Sequence, residues 1–209
     1  MNAKYQGLLI CFMLYTIAFI VGIYAANQTL ATHQWIIVSI AHLAATCVVF
    51  AGSFIYKNSS LYDPFWSVVP APIAIYLAFW PESITINYEK IILVLIPVLF
   101  WSLRLTWNWA KKWEGLIEED FRYVNLKKGS KAKVAFIDFF GIHIFPTFQV
   151  NLSLLPIYYV LAVPTNEVNL VMYLASSFTF LAVLLETIAD KQMYAFAKNP
   201  NNKGTTMRQ

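Results

Sequence analysis

Residues 5–26 contain no charged side chain, and neither do residues 34–56. Roughly 20 consecutive apolar residues suffice for a helix to cross the hydrocarbon core of a bilayer. Two such runs within the first 56 residues leave few folds open. Lipid offers no water to satisfy backbone N–H and C=O groups, so only helices and closed barrels span it. Both runs are far longer than the roughly 9–11 residues of a barrel strand, which leaves helices. The remainder of the chain agrees. Charged side chains make up 12% of the 209 residues, against about 25% in soluble domains, and the mean hydropathy is +0.57. The sequence reads as an all-α, polytopic transmembrane bundle forming a single integral membrane domain over residues 1–209.

The first run could instead be a signal peptide, with Ala25-Ala26-Asn27 as a faint cleavage site. The apolar region of a signal peptide is shorter, roughly 7–15 residues, so a retained helix is expected. The second run, Gln34–Tyr56, carries His42 among small residues. A histidine there either lines a ligand pocket or bonds to a neighbouring helix. A third span is expected over residues 64–80, with Asp63 as N-cap, Pro64 at the first helical position, and a kink at Pro70 and Pro72. The fourth covers 89–109. The fifth covers 134–163, includes Asp138, His143, Gln149 and Asn151, and is too long for one perpendicular crossing. It reads as an interfacial or tilted approach followed by a span over 151–163. The sixth covers 169–185 and ends at Glu186, Asp190 and a polar tail.

About six spans put the N-terminus, the turn at Lys57, the 111–133 loop and the tail on one side, and that side holds nearly every Lys and Arg. Lys90 alone falls on the other side, so both termini are expected in the cytoplasm. The net charge of +4 and pI of about 9.0 are explained by this bias, and no nucleic-acid partner is expected. Cys11 and Cys47 lie in apolar segments and read as free thiols.

Chemistry is concentrated where the fourth apolar run ends. Residues 101–123 gather Trp101, Trp107, Trp109 and Trp113, with Arg104 near the end of the run. Aromatic rings with one polar end collect at the membrane–water boundary. An acid-and-base string follows, Glu118-Glu119-Asp120-Phe121-Arg122-Tyr123. It is either a surface helix with local ion pairs or an anchor for an anionic cofactor, with Asp120 orienting Arg122. The second cluster is Glu186 and Asp190, four residues apart and so on one helix face. Two such carboxylates need a cation or a hydrogen-bonding ligand such as a ribose or an amide. His33, His42 and His143 have no second ligand at metal-binding spacing, and no glycine loop for phosphate is present.

The order Asp63-Pro-Phe-Trp66, Arg104-Leu, Glu119-Asp120-Phe-Arg122-Tyr123, then Glu186-Thr-Ile-Ala-Asp190-Lys-Gln192 with Phe196, closely resembles the DUF1295 family. That family is similar to the C-terminal domain of steroid 5-alpha-reductases. The resemblance runs from the second segment onward. It implies a bundle of about seven helices, an NADPH-type cofactor near the cytoplasmic side, and hydride transfer to a double bond of a lipid-like substrate. Glu186 and Asp190 are then expected to contact the cofactor, with Asp120, Arg122 and Tyr123 in the same wall. The substrate pocket is expected from segments one to four, with His42, Asp63 and Trp66 as candidates. The resemblance also implies a Gly-Leu-Trp-x-Tyr-Ser-Arg-His-Pro-Asn-Tyr-type segment after residues 204–209, so the chain looks like a truncated member. Two other readings stand beside the reductase. One is a non-catalytic membrane remnant or scaffold. The other is an isoprenylcysteine-methyltransferase-like enzyme using S-adenosylmethionine. The expected partners are membrane lipids and the lipid-like substrate. The expected location is the endoplasmic reticulum membrane in a eukaryote or the cytoplasmic membrane in a bacterium.

Overall fold

The computed structural model describes residues 2–31, 33–79, 87–117, 119–163, 167–202 and 204–207. The elements among them are all helical. In order they are α1 (Ala3–Gln28), α2 (Gln34–Tyr56), a 3-10 turn (Ser59–Tyr62), α3 (Phe65–Val68), α4 (Pro70–Phe79) and α5 (Tyr88–Lys112). There follow α6 (Phe121–Leu126), α7 (Lys131–Phe136), a π-helical segment (Ile137–Ile144), α8 (Phe145–Ser153), α9 (Leu155–Ala162), α10 (Leu170–Lys198) and a 3-10 turn at Pro200–Asn202. Among the described residues α1, α2, α5 and α10 are each long and apolar enough to cross a membrane, and Lys131–Ser153 with Leu155–Ala162, bent by 40°, makes a fifth candidate. The chain is therefore an all-helical protein of the integral membrane type.

Local chemistry explains the boundaries. The side chains of Asn2, Asn87 and Asn169 accept the backbone N–H groups that open α1, α5 and α10. At the end of α2, Lys57 adopts a left-handed conformation with φ of 53°, and Asn58 N–H reaches back to Ser53 O at 2.9 Å. Helices α1 and α2 pack along each other through small residues. A Cβ on Gly22 would lie 2.9 Å from Ala41 O, so this crossing requires glycine. Around that pair the core gathers Val49, Tyr62, Phe65, Ala74 and Leu77, all essentially buried. Tyr15 of α1 donates to Leu61 O at 2.7 Å and ties the 3-10 turn to the bundle. A buried hydroxyl cluster joins three elements. Thr147 Oγ1 meets Thr46 Oγ1 at 2.9 Å and Tyr62 OH at 2.8 Å, and donates to His143 O at 2.8 Å.

Several expectations are corrected. The third segment is two short helices broken at Val69, ahead of Pro70, and neither α3 nor α4 is long enough to span alone. Asp63 does not cap a helix. It closes the 3-10 turn, and α3 begins only after Pro64. The sixth segment does not stop at residue 185 but continues to Lys198, so Glu186 and Asp190 sit within the body of α10. The loop after the fourth span contains α6 and the beginning of α7. The approach-then-span reading of the fifth segment agrees with the bend at Leu154, although α9 accounts only for residues 155–162. Trp80, Glu118, the turn at 164–166 and most of the expected loop after α4 lie outside the described residues.

Candidate functional site

One side of α5 presents Val98, Trp101, Leu105, Asn108, Trp109 and Lys112 to a cavity of about 1230 Å³. Their spacing of three or four residues places them on one helix face. At 1.5 Å per residue the stripe from Val98 to Lys112 is roughly 21 Å long. The opposite wall repeats the pattern on the bent pair, with Ile142, Pro146, Gln149, Val150, Leu154 and Ile157. The two stripes run antiparallel, so the apolar ends meet deep in the bundle and the polar ends meet near the α5 C-terminus. The 3-10 turn supplies Ser60, Tyr62 and Asp63, α3 supplies Trp66, and the segment around α6 supplies Glu119, Asp120, Phe121, Arg122 and Tyr123. The volume exceeds the roughly 300–1,000 Å³ of ordinary small-molecule sites, and the mixture of apolar walls with a few polar groups is what such sites use.

The polar rim is held in place. Asp120 caps α6, accepting Arg122 N–H at 2.8 Å, and takes the Arg122 guanidinium in two parallel bonds of 2.8 and 2.9 Å. Arg122 holds the Asp120 carboxyl below the usual range by hydrogen bonding, and the guanidinium is in turn made more basic by Asp120. Asp120 N–H donates to Ser60 Oγ at 2.8 Å. Tyr123 OH donates to Asp63 Oδ1 at 2.5 Å. Burial pushes the Asp63 carboxyl up to about 6, an effect the Tyr123 hydrogen bond opposes. Burial, followed by the nearby Asp63 charge, raises Tyr123, so its phenol keeps its proton. Trp66 and Trp101, with centroids 5.9 Å apart, cover one flank of the cavity, and Trp109 stacks on Trp113 at 4.5 Å.

The sequence candidates divide into three groups. Asp63, Trp66, Asp120, Arg122 and Tyr123 come together around the cavity. Glu186 and Asp190 lie on α10, across α5 from the cavity. Arg104 forms an ion pair with Glu186 and a 2.9 Å hydrogen bond to Asp190 Oδ2. Asn108 Nδ2 donates to the same Asp190 oxygen at 2.7 Å. The cation these carboxylates require is therefore supplied from within the chain. Asn108 also lines the cavity, so it links the two clusters. His42 is in neither cluster. It is buried, with Nδ1 3.1 Å from Asn151 Oδ1, which is the helix–helix bond anticipated as its plainer role. Helices α1 and α2 contribute no lining residue, so the pocket expected from segments one to four is built instead from the third, fourth and fifth segments and the loop between the last two.

Sequence reading missed Asn108, Ser59 and Ser60. Asn108 carried a usable signal, because it follows Arg104 by one helical turn. The two serines carried none, since a short polar turn after a span looks like any other.

The family model described as "Protein of unknown function (DUF1295)" matches residues 49–209. An uncharacterized protein of the fission yeast Schizosaccharomyces pombe is 26% identical over 156 residues, covering 72% of this chain. The chain spans 45% of that relative's length. No solved structure matches it. The family match takes in more than three quarters of the sequence, including every residue of the cavity rim, and the chain belongs to the DUF1295 family.

Proposed function

We propose that this chain forms the membrane part of an NADPH-dependent reductase acting on a double bond of a lipid-like substrate. The observation that carries the reading is the graded cavity, with apolar walls deep in the bundle and a charged, aromatic rim at the α5 C-terminus. The donor set at that rim fits a dinucleotide. Lys112 and Arg122 are cations suited to phosphates, Glu114 and Asp120 can accept ribose hydroxyls, and Trp66, Trp101 and Trp109 offer planar faces. NADPH, when bound, supplies a hydride to the substrate. Arg122 is oriented for its role by Asp120, the tryptophans exclude water, and Tyr123 Oη holds a proton against Asp63 Oδ1. Asp190 reaches the rim indirectly, through Asn108. The finer topology belongs to the same reading: about six spans, both termini in the cytoplasm, in the endoplasmic reticulum of a eukaryote or the cytoplasmic membrane of a bacterium.

The test is NADPH oxidation by the chain in lipid nanodiscs, with unsaturated sterol, isoprenoid and fatty-acyl lipids offered in turn and products identified by mass spectrometry. Turnover that Tyr123→Phe reduces supports the proposal, and absence of both turnover and cofactor binding contradicts it. A non-catalytic scaffold is the second reading. What favours it is that Arg104 and Asn108 already satisfy Glu186 and Asp190 without any ligand.

A further inference from the structure

Apart from the cavity rim, the densest set of ionisable groups lies behind it. Lys127 Nζ donates to Glu119 Oε1 at 2.5 Å and to Ser59 Oγ at 3.0 Å, and sits 4.0 Å from Asp138 Oδ2. Glu119 Oε1 also accepts Ser59 N–H at 2.6 Å, and Ser59 Oγ donates to Asp138 Oδ1 at 2.6 Å. His143 continues the set, with Nδ1 2.8 Å from Asp138 O and Nε2 3.0 Å from Ser53 Oγ of α2. The side chains of Lys127, Glu119 and Asp138 are 14%, 14% and 10% exposed.

The backbone is specialised to build this set. Asp138 and His143 are five residues apart, a spacing that an α-helix would throw to different faces. They lie in the π-helical segment Ile137–Ile144, whose wider turn brings residues five apart into register. The segment thus delivers a carboxylate and an imidazole to one point beneath Lys127. Lys127 follows the last residue of α6, and Glu119 precedes its cap. The two ends of the α6 segment are therefore clamped to each other and to the 3-10 turn, and the segment between them carries Asp120, Arg122 and Tyr123 into the cavity.

We infer that Lys127 is the positioning residue of this site, an ammonium held by Glu119, Ser59 and Asp138 that fixes the α6 segment against the cavity. The inference concerns how the rim is held. It rests on the proposed function only in so far as that rim binds a ligand.

Hydrogen exchange of the whole chain in nanodiscs tests it without any ligand. Glu119→Gln with Lys127→Met removes both charges at once, so no orphaned charge confuses the result. Exchange over residues 116–127 should accelerate by at least about tenfold, as expected for loss of one charge-assisted hydrogen bond. Protection in α2 and α5 should stay as in the parent, and Lys127→Arg should restore slow exchange in the loop. Unchanged exchange in 116–127 would overturn the inference, and so would equal loosening of α2 and α5. NADPH titration of the same proteins separates the two claims. A parent chain that binds no NADPH contradicts the reductase reading and leaves the exchange result to decide the role of Lys127.

Discussion

Tyr123 donates its phenolic proton to Asp63 across 2.5 Å, joining residues sixty positions apart in the chain. One partner closes a 3-10 turn and the other lies on α6, so this bond seats the segment that carries Arg122 beside the cavity. It also gives the site its clearest pH dependence. The Asp63 carboxyl is raised from 3.8 to about 6, so between those values the folded state holds a proton that the unfolded chain has released. Stability from this group is therefore present below the unfolded value and is lost as pH rises through about 6. Two units correspond to a contribution on the order of 3 kcal/mol before solvent screening. Thermal melts from pH 4 to 7 in detergent should show Asp63→Asn gaining on the parent as pH rises. A constant difference across that range would contradict the assignment.

Removing the phenol should strengthen the same effect. Tyr123→Phe deletes a hydrogen bond that stabilises the ionised carboxylate. The Asp63 midpoint should move higher, and the pH at which the melts change slope should move with it.

Arg104 serves two carboxylates at once. Its side chain is 10% exposed, while Glu186 and Asp190 are 44% and 33% exposed. Arg104→Ala should destabilise by about 2 kcal/mol, below the 3–5 kcal/mol of a fully buried pair because water screens both acids. Arg104→Met combined with Glu186→Gln and Asp190→Asn should recover most of that loss in equilibrium unfolding. If Asp190 contacts a cofactor as well, Asp190→Ala will weaken NADPH binding more than it lowers the melting temperature.

The buried hydroxyl cluster should be sensitive at its centre. Thr147→Val keeps the shape but leaves Thr46 and Tyr62 without their shared partner. A loss of about 2 kcal/mol is expected, against a much smaller loss for Thr147→Ser, in denaturant titration of the reconstituted protein.

The parts of the fold that could be read from sequence are those fixed by local chemistry. The bounds of α2 match the apolar run because the run ends in a polar turn that cannot remain in lipid. Asp63 was misread because Asp-Pro before an apolar stretch is the usual helix start. Here a tertiary partner, Tyr123, takes the carboxylate instead. The pairing of Glu186 and Asp190 was legible as a demand for a cation. Its source was not, because Arg104 is 82 residues from Glu186 in sequence and only the packing of α5 on α10 joins them. The π-helical segment was invisible, since Asp138 and His143 at a spacing of five match neither α nor β periodicity.

The most direct test of the central claim uses the protein's own tryptophans. Trp66, Trp101, Trp109 and Trp113 all line the cavity, so a dinucleotide bound there must quench their fluorescence. NADPH titrated into the chain in nanodiscs should give saturable quenching, and Arg122→Ala should weaken it by about tenfold, as for a lost charge-assisted hydrogen bond, with its melting temperature nearly unchanged. Quenching that never saturates, or that Arg122→Ala leaves untouched, would contradict a cofactor site at this rim.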